Sequence, residues 1–273
     1  MRLKNALKRQ GDFCFRWRSY LPLLVLPLFF VCLMSFGQNL ISKGALNSAS
    51  SWDFELLSLC DKPLDFNAPL VIIALVVGIL GQIIRVLVAG YAPRDTSGRN
   101  TKAQKAATLN TTGIYSLCRN PLYLGNFLMM LAPVLLLGNW LFALCFCLAF
   151  WLYYERIIYA EESFLSEKFG AKYLAWARQT PAFFPRLRAF TPNATTFSLK
   201  STLKREYHSL FGLAGSLFGV HCLIILYEAF FDMRLRAIAF EPIITGFFAL
   251  CAVIYLAALI LAKKSKILEV QGR

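Results

Sequence analysis

The stretch GIYSLCRNPLYLG, Gly113 to Gly125, gathers reactive side chains at the edge of an apolar run. Asn120 and Pro121 read as a helix start, because Asn caps free amides and Pro suits the first helical position. Arg119 just ahead of them sets a guanidinium beside the positive dipole end of that helix, an arrangement that attracts an anion. Tyr115 and Tyr123 can flank the anion, and Gly113 and Gly125 leave room for a ligand against the backbone. The plain alternative is an interfacial anchor, since tyrosine is at home at headgroup depth.

A second group stands downstream, where Glu155, Arg156, Glu161 and Glu162 fall within ERIIYAEESFLSEKFG. One arginine with several carboxylates under aromatic rings suits a zwitterionic or cationic ligand. A salt-bridge ladder along one helix face is the ordinary alternative.

These groups must be held by membrane helices. Of 273 residues, 58% are hydrophobic and only 16% are charged, too apolar a balance for a soluble domain. Runs able to cross a hydrocarbon layer of about 30 Å lie at 20–40, 68–90, 122–137, 140–157, 209–231 and 243–262. The expected fold is therefore all-α and polytopic, with six transmembrane helices. Spans three and four are separated only by about Gly138 and Asn139, so they form a tight antiparallel hairpin. That hairpin returns the acidic group to the side of the membrane that holds Arg119. Past span four an amphipathic pattern continues to a break at Gly170 and a stop at Pro181, reading as a cytoplasmic helix on or under the inner leaflet.

Glycines mark close helix approaches in span two, at Gly78 and Gly81, and in span five, at Gly215 and Gly219. Arg85 near the inner end of span two either snorkels to the headgroups or faces a polar cavity. The polar stretch TPNATTFSLKSTLKRE reads as a connector ahead of the last two spans.

With both termini cytoplasmic, all but four of the 29 Lys and Arg fall on inner segments; the exceptions are Lys43, Lys62, Arg234 and Arg236. The net charge of +14 is then the positive-inside bias plus attraction to the bilayer surface, and it is no argument for nucleic acid. The first apolar run is longer than a signal-peptide core, so an uncleaved anchor behind the basic arm of residues 1–19 is expected. Of eight cysteines only Cys60 lies in an outer loop, which implies no disulfide framework, and the Cys145–Cys147 spacing points the two thiols to different helix faces rather than to a metal. No metal site is expected. Three parts follow: an arm, first span and outer loop over 1–67, a core over 68–190, and a connector with the C-terminal pair of spans over 191–273.

LNTTGIYSLCRNPLYLG, the short-loop hairpin, the Glu-Arg and Glu-Glu acids and the F-G-x-x-Y then P-x-x-x-P tail occur in that order. Over about residues 70–188 this resembles the isoprenylcysteine carboxyl methyltransferase family, which includes phospholipid methyltransferases and some bacterial lipid methyltransferases. The resemblance implies S-adenosylmethionine bound at the cytoplasmic face and a lipid acceptor entering sideways from the bilayer. It places Arg119, Tyr123, Gly125, Arg156, Glu161 and Glu162 on the family's cofactor and active-site motif; with Tyr115 and Asn120 beside them, the expected cofactor contacts are Tyr115, Arg119, Asn120, Tyr123, Gly125, Glu161 and Glu162, and Arg156 and Glu161 are expected in catalysis. Arg119 can pair a methionyl carboxylate, the acids an amino group or ribose hydroxyls, and tyrosine faces a sulfonium.

Two departures stand out. The family usually has histidine where this chain has Asn120, and often a second where it has Ala107. A carboxylate or phosphate oxygen arrives anionic and needs no base tuned near neutrality, whereas an amine does. An O-methyltransferase acting on a lipid or lipidated acceptor is therefore expected, in a bacterial cytoplasmic membrane rather than an endomembrane. The alternatives from other classes are an NADPH-dependent sterol or lipid reductase and a non-catalytic membrane binding protein.

Overall fold

The computed structural model describes residues 3–18, 68–92, 106–138, 140–231 and 241–264. Helix α1 is Leu3–Trp17, α2 Ala68–Tyr91, α3 Ile114–Leu117, α4 Pro121–Leu135 and α5 Trp140–Phe169. After these come α6 Ala171–Gln179, a single 3₁₀ turn at Leu187–Ala189, α7 Leu199–Phe231 and α8 Pro242–Lys264. The all-α expectation holds: among the described residues the only β pairing is the isolated Gly113–Thr191 bridge.

Helices α2, α5, α7 and α8 are long and apolar enough to cross a membrane, and α4 is a shorter apolar helix. These five correspond to predicted spans two to six. The first predicted span, 20–40, and the outer loop lie outside the described residues. The start of span five differs from expectation. The helix begins at Leu199, so the stretch from Leu199 to Glu206, read as connector, is helical. Lys200, Lys204 and Arg205 obscure the apolar period there, while Ser198 starts the helix with its side chain and carbonyl bonded to the amides of Ser201 and Thr202.

Lipid-facing positions remain apolar, as the absence of water in the bilayer requires: Ile72, Val76 and Ile83 on α2, Leu148 and Leu152 on α5, and Val253 and Leu256 on α8 are all exposed. Buried packing sits in two places. One cluster joins α2, α4, α7 and α8 through Val71, Ala74, Ala132, Leu213, Leu217 and Ile244. The other joins α1, α4, α5 and the chain after α6 through Phe15, Tyr123, Phe150, Tyr154, Ile157 and Phe183.

Helices α2 and α4 cross closely. A Cβ on Gly81 would meet the Gly125 carbonyl oxygen at 2.7 Å, and one on Gly125 would meet the Gly81 oxygen at 2.9 Å and Arg85 Cγ at 2.8 Å. Glycine at both positions lets the two backbones touch. Gly78 similarly admits Leu213 and Ala132. The expected small-residue surface on span five is not a close crossing, because nothing lies within 4 Å of a Cβ on Gly219 and only Phe248, at 4.0 Å, near one on Gly215.

The predicted hairpin closes through Gly138 at φ +64 between α4 and α5. Helix α5 then runs unbroken through the acidic group to Phe169, and Gly170 at φ +52 turns the chain into α6. Residues 180–198 fold back as a strap. Main-chain bonds lace the strap to the motif: Arg119 N donates to Pro181 O at 2.9 Å, Arg186 N to Leu117 O at 3.0 Å and Gly113 N to Thr191 O at 2.8 Å. Gly113, at φ +61, must be glycine for this, since Asn193 Oδ1 fills the space a side chain would need. Further on, Ser198 N donates to Gly90 O, and Phe197 packs edge-on against Tyr91 at 5.3 Å, fixing the strap to the end of α2.

Candidate active site

The strap and the α4–α5 hairpin together bring Arg119 to Glu162. Arg119 Nε lies 3.2 Å from Glu162 Oε1, with both side chains about one-fifth exposed. Asn120 stands at the N-cap of α4 as expected, and its backbone oxygen accepts from Tyr123 N and Leu124 N. Its side chain makes no cap bond, which corrects the expected capping role. Instead Asn120 Nδ2 donates to Ala182 O at 2.9 Å and reaches Glu162 Oε1 at 3.4 Å. The amide thus ties the strap to the acid, leaving the start of the helix to the fixed backbone of Pro121.

Tyr173 and Trp176 of α6 close this half of the site, their rings edge to face at 5.7 Å. Burial first, and then the facing Glu162 carboxylate, push the Tyr173 phenol well above its ordinary pKa. Arg119 Nε, the Tyr173 hydroxyl and Trp176 Nε1 are all buried and make no well-formed hydrogen bond. An unsatisfied buried polar group costs about 1–3 kcal/mol; Trp176 Nε1 is such a donor, while Arg119 and the Tyr173 hydroxyl face the Glu162 carboxylate.

Glu161 faces a different set. Its carboxylate bonds the Tyr123 hydroxyl and lies 3.6 Å from Arg18 Nη1, which also reaches the Tyr123 oxygen at 3.4 Å. Arg18 itself sits 4.3 Å over the Phe15 ring. Tyr115 lies near enough for the Glu161 charge, after burial, to raise its phenol pKa. Tyr115 also lines a cavity of about 190 Å³ with Tyr91, Asn110, Thr112, Asn193 and Thr195.

The seven expected cofactor residues therefore divide. Arg119, Asn120 and Glu162 meet directly, and Tyr123 meets Glu161. Gly125 is turned to Gly81 and Arg85, so the room its missing side chain leaves is filled by helix packing, not open to a ligand. Arg156 is engaged away from the acids: its Nε donates to Gln10 Oε1 at 3.1 Å and its Nη1 to the Leu152 carbonyl. Arg85 faces a polar partner rather than snorkelling, pairing with Glu206 at 2.8 Å.

Sequence reasoning missed Arg18, Tyr154, Tyr173, Trp176 and Glu206. The spacing in F-G-x-x-Y pointed at Tyr173. Arg18 was hidden in a border motif that reads equally well as an anchor.

With this geometry in place, comparison with known proteins bears on the resemblance. Residues 70–172 match the phospholipid methyltransferase family. The matched stretch runs from α2 to the start of α6 and carries every expected site residue from Tyr115 to Glu162. Nickel-cobalt-cadmium resistance protein NccN of Alcaligenes xylosoxydans xylosoxydans is 37% identical over 121 residues, 44% of this chain and 54% of that protein. Cobalt-zinc-cadmium resistance protein CzcN of Cupriavidus metallidurans is 35% identical over 132 residues, 48% of this chain and 58% of that protein. Protein-S-isoprenylcysteine O-methyltransferase of Schizosaccharomyces pombe is 35% identical over 85 residues, 31% of this chain and 36% of that enzyme. The chain thus spans about half the length or less of these relatives. No solved structure matches it significantly. Arg18, Tyr173, Trp176 and Glu206 all stand outside the phospholipid methyltransferase match.

Proposed function

We propose that this chain is an S-adenosylmethionine-dependent methyltransferase. It acts at the cytoplasmic membrane face on a carboxylate or phosphate oxygen of a lipid or lipidated acceptor. The observation that carries the reading is the part-buried Arg119–Glu162 ion pair faced by Tyr173, with Trp176 against it.

These residues fit the amino-acid end of that cofactor. Arg119 takes a carboxylate through charge-assisted bonds, and Glu162, once released from Arg119, takes an ammonium. The Tyr173 hydroxyl and Trp176 indole supply neutral donors around them. S-adenosylmethionine, when bound, supplies an electrophilic methyl group on a sulfonium. The protein's own contribution is to hold the acceptor oxygen in line and to exclude water, since an anionic oxygen needs no proton removed. Glu161, already bonded by Tyr123 and close to Arg18, orients the tyrosine face beside the reacting centre.

The asymmetry of basic residues supports a multi-pass topology with both termini in the cytoplasm. Residues 68–190 form the methyltransferase core in this reading. The homologues with metal-resistance names are bacterial, which favours a bacterial cytoplasmic membrane.

Calorimetric titration of the purified protein with S-adenosylmethionine and, separately, with NADPH tests the reading. Saturable binding of the first and none of the second is expected; the reverse would replace methyl transfer with reduction. Transfer of labelled methyl into a total lipid extract then identifies the acceptor, and label found only on lipid amines would exclude the oxygen acceptor.

A further inference from the structure

Helix α7 lies wholly beyond the matched residues 70–172, yet it delivers a carboxylate into them. Glu206 is 6% exposed. Its Oε2 accepts from Arg85 Nε at 2.8 Å and from Ser209 Oγ at 2.9 Å, and its Oε1 accepts from Arg85 Nη2 at 3.2 Å. The third guanidinium nitrogen, Nη1, donates to Asn126 Oδ1. Every nitrogen of Arg85 is thereby committed.

Stability does not account for such a pair. Desolvating two charges offsets much of their attraction, and well-packed apolar residues in their place are often as stable or more so. What the pair does is fix Asn126. With its oxygen held by Arg85, Asn126 has its amide nitrogen left to offer the neighbouring Tyr154 hydroxyl. The Tyr154 ring packs edge-on against Tyr123 at 5.1 Å, and the Tyr123 hydroxyl bonds Glu161. A continuous line of oriented groups thus runs from the C-terminal helices to the acid.

We propose that Glu206 is a positioning residue for methyl transfer: by holding Arg85 and Asn126 it sets Tyr154, Tyr123 and, through them, the Glu161 carboxylate. Helix α7 is then part of the catalytic unit and not an appended module. The inference rests on the reading of Glu161 as part of an S-adenosylmethionine site.

The test separates holding the fold from holding the site. Glu206→Met alone strands the Arg85 charge and should lower Tm by several degrees. The double variant Arg85→Met with Glu206→Met removes both charges and should recover Tm. Turnover per binding-competent site, counted by calorimetric stoichiometry, should nevertheless remain down about 10- to 100-fold with KM for the acceptor little changed. A double variant with native Tm and native turnover would show the pair to be structural only and overturn the proposal.

A cycle on Tm between Glu206→Gln and Tyr154→Phe, measured in detergent without ligand, tests the link itself. Sites with no shared partners give additive shifts. Non-additive shifts are expected, and additive ones overturn the link even if the charge-free double variant fails to fold. Because this arm needs no cofactor, a protein that shows coupling yet binds no S-adenosylmethionine would refute the functional reading and leave the network standing.

Discussion

Arg119 Nε approaches Glu162 Oε1 to 3.2 Å without making a well-formed hydrogen bond. An ion pair in that state is held by charge, and a ligand's carboxylate and ammonium are the groups that could replace each partner. Each acid of the Glu161–Glu162 pair has its own arginine, and only that of Glu162 comes from the motif that opens α4.

Replacing Arg119 with Lys keeps the charge and removes the planar fork. We expect S-adenosylmethionine affinity to fall about 10- to 100-fold, the equivalent of one charge-assisted hydrogen bond, read by calorimetry. Glu162→Gln should lose a similar factor. Unchanged affinity in both variants would remove this pair from the binding site.

Asn120→Ala removes the bond to Ala182 O, untying the strap from the start of α4. A cost of about 1–2 kcal/mol is expected, seen as a lower Tm and as earlier proteolysis between residues 180 and 198. Were Asn120 only a helix cap, the strap's protease sensitivity would not change.

Gly125→Ala distinguishes packing from ligand contact. Its new methyl would lie 2.8 Å from Arg85 Cγ and 2.9 Å from Gly81 O, and the second of these is backbone and cannot swing aside. A destabilisation of about 1–3 kcal/mol is expected from overpacking, measured by thermal unfolding. A variant with native Tm but lost cofactor affinity would return Gly125 to the binding surface.

Stability should decline above about pH 9. Burial pushes the Cys118 thiol up from its ordinary value of 9.0 to about 11, and burial likewise raises the Tyr115 and Tyr173 phenols. For each group the unfolded chain releases its proton first, so the folded state binds more protons across that window and loses stability as pH rises. Cys118→Ala should shallow the decline between pH 9 and 11 in thermal melts. At pH 8 the native thiol should also alkylate far more slowly than in the unfolded chain, and equal rates would mean that Cys118 is not buried.

The hairpin, the long run of α5 and the break at Gly170 were legible because each is written locally, in apolar length and in one glycine. Arg119 and Glu162 were legible through ordered motifs on two helices joined by a short turn. Three things were not. The strap has no periodicity, since its bonds go to a distant main chain, so nothing in PAFFPRLRAFTPN says where it lands. Glu206 sat among basic residues that read as solvated, while its burial depends on an arginine in another span. Gly125 carries a motif position but faces α2, and which side of a helix a glycine serves depends on its neighbour's backbone.

The Arg85–Glu206 contact also sets an order of events in biogenesis. The two residues are 121 positions apart. At about 5–20 residues per second, roughly six to twenty-four seconds of synthesis separate them. Throughout that interval α2 carries a guanidinium that has no carboxylate, and a bare charge at membrane depth is unfavourable. The ion pair between α2 and α7 is therefore one that only the later helix can complete. Synthesis of α7 thus supplies the charge that completes the α2–α4 crossing, well after both of those helices have been made.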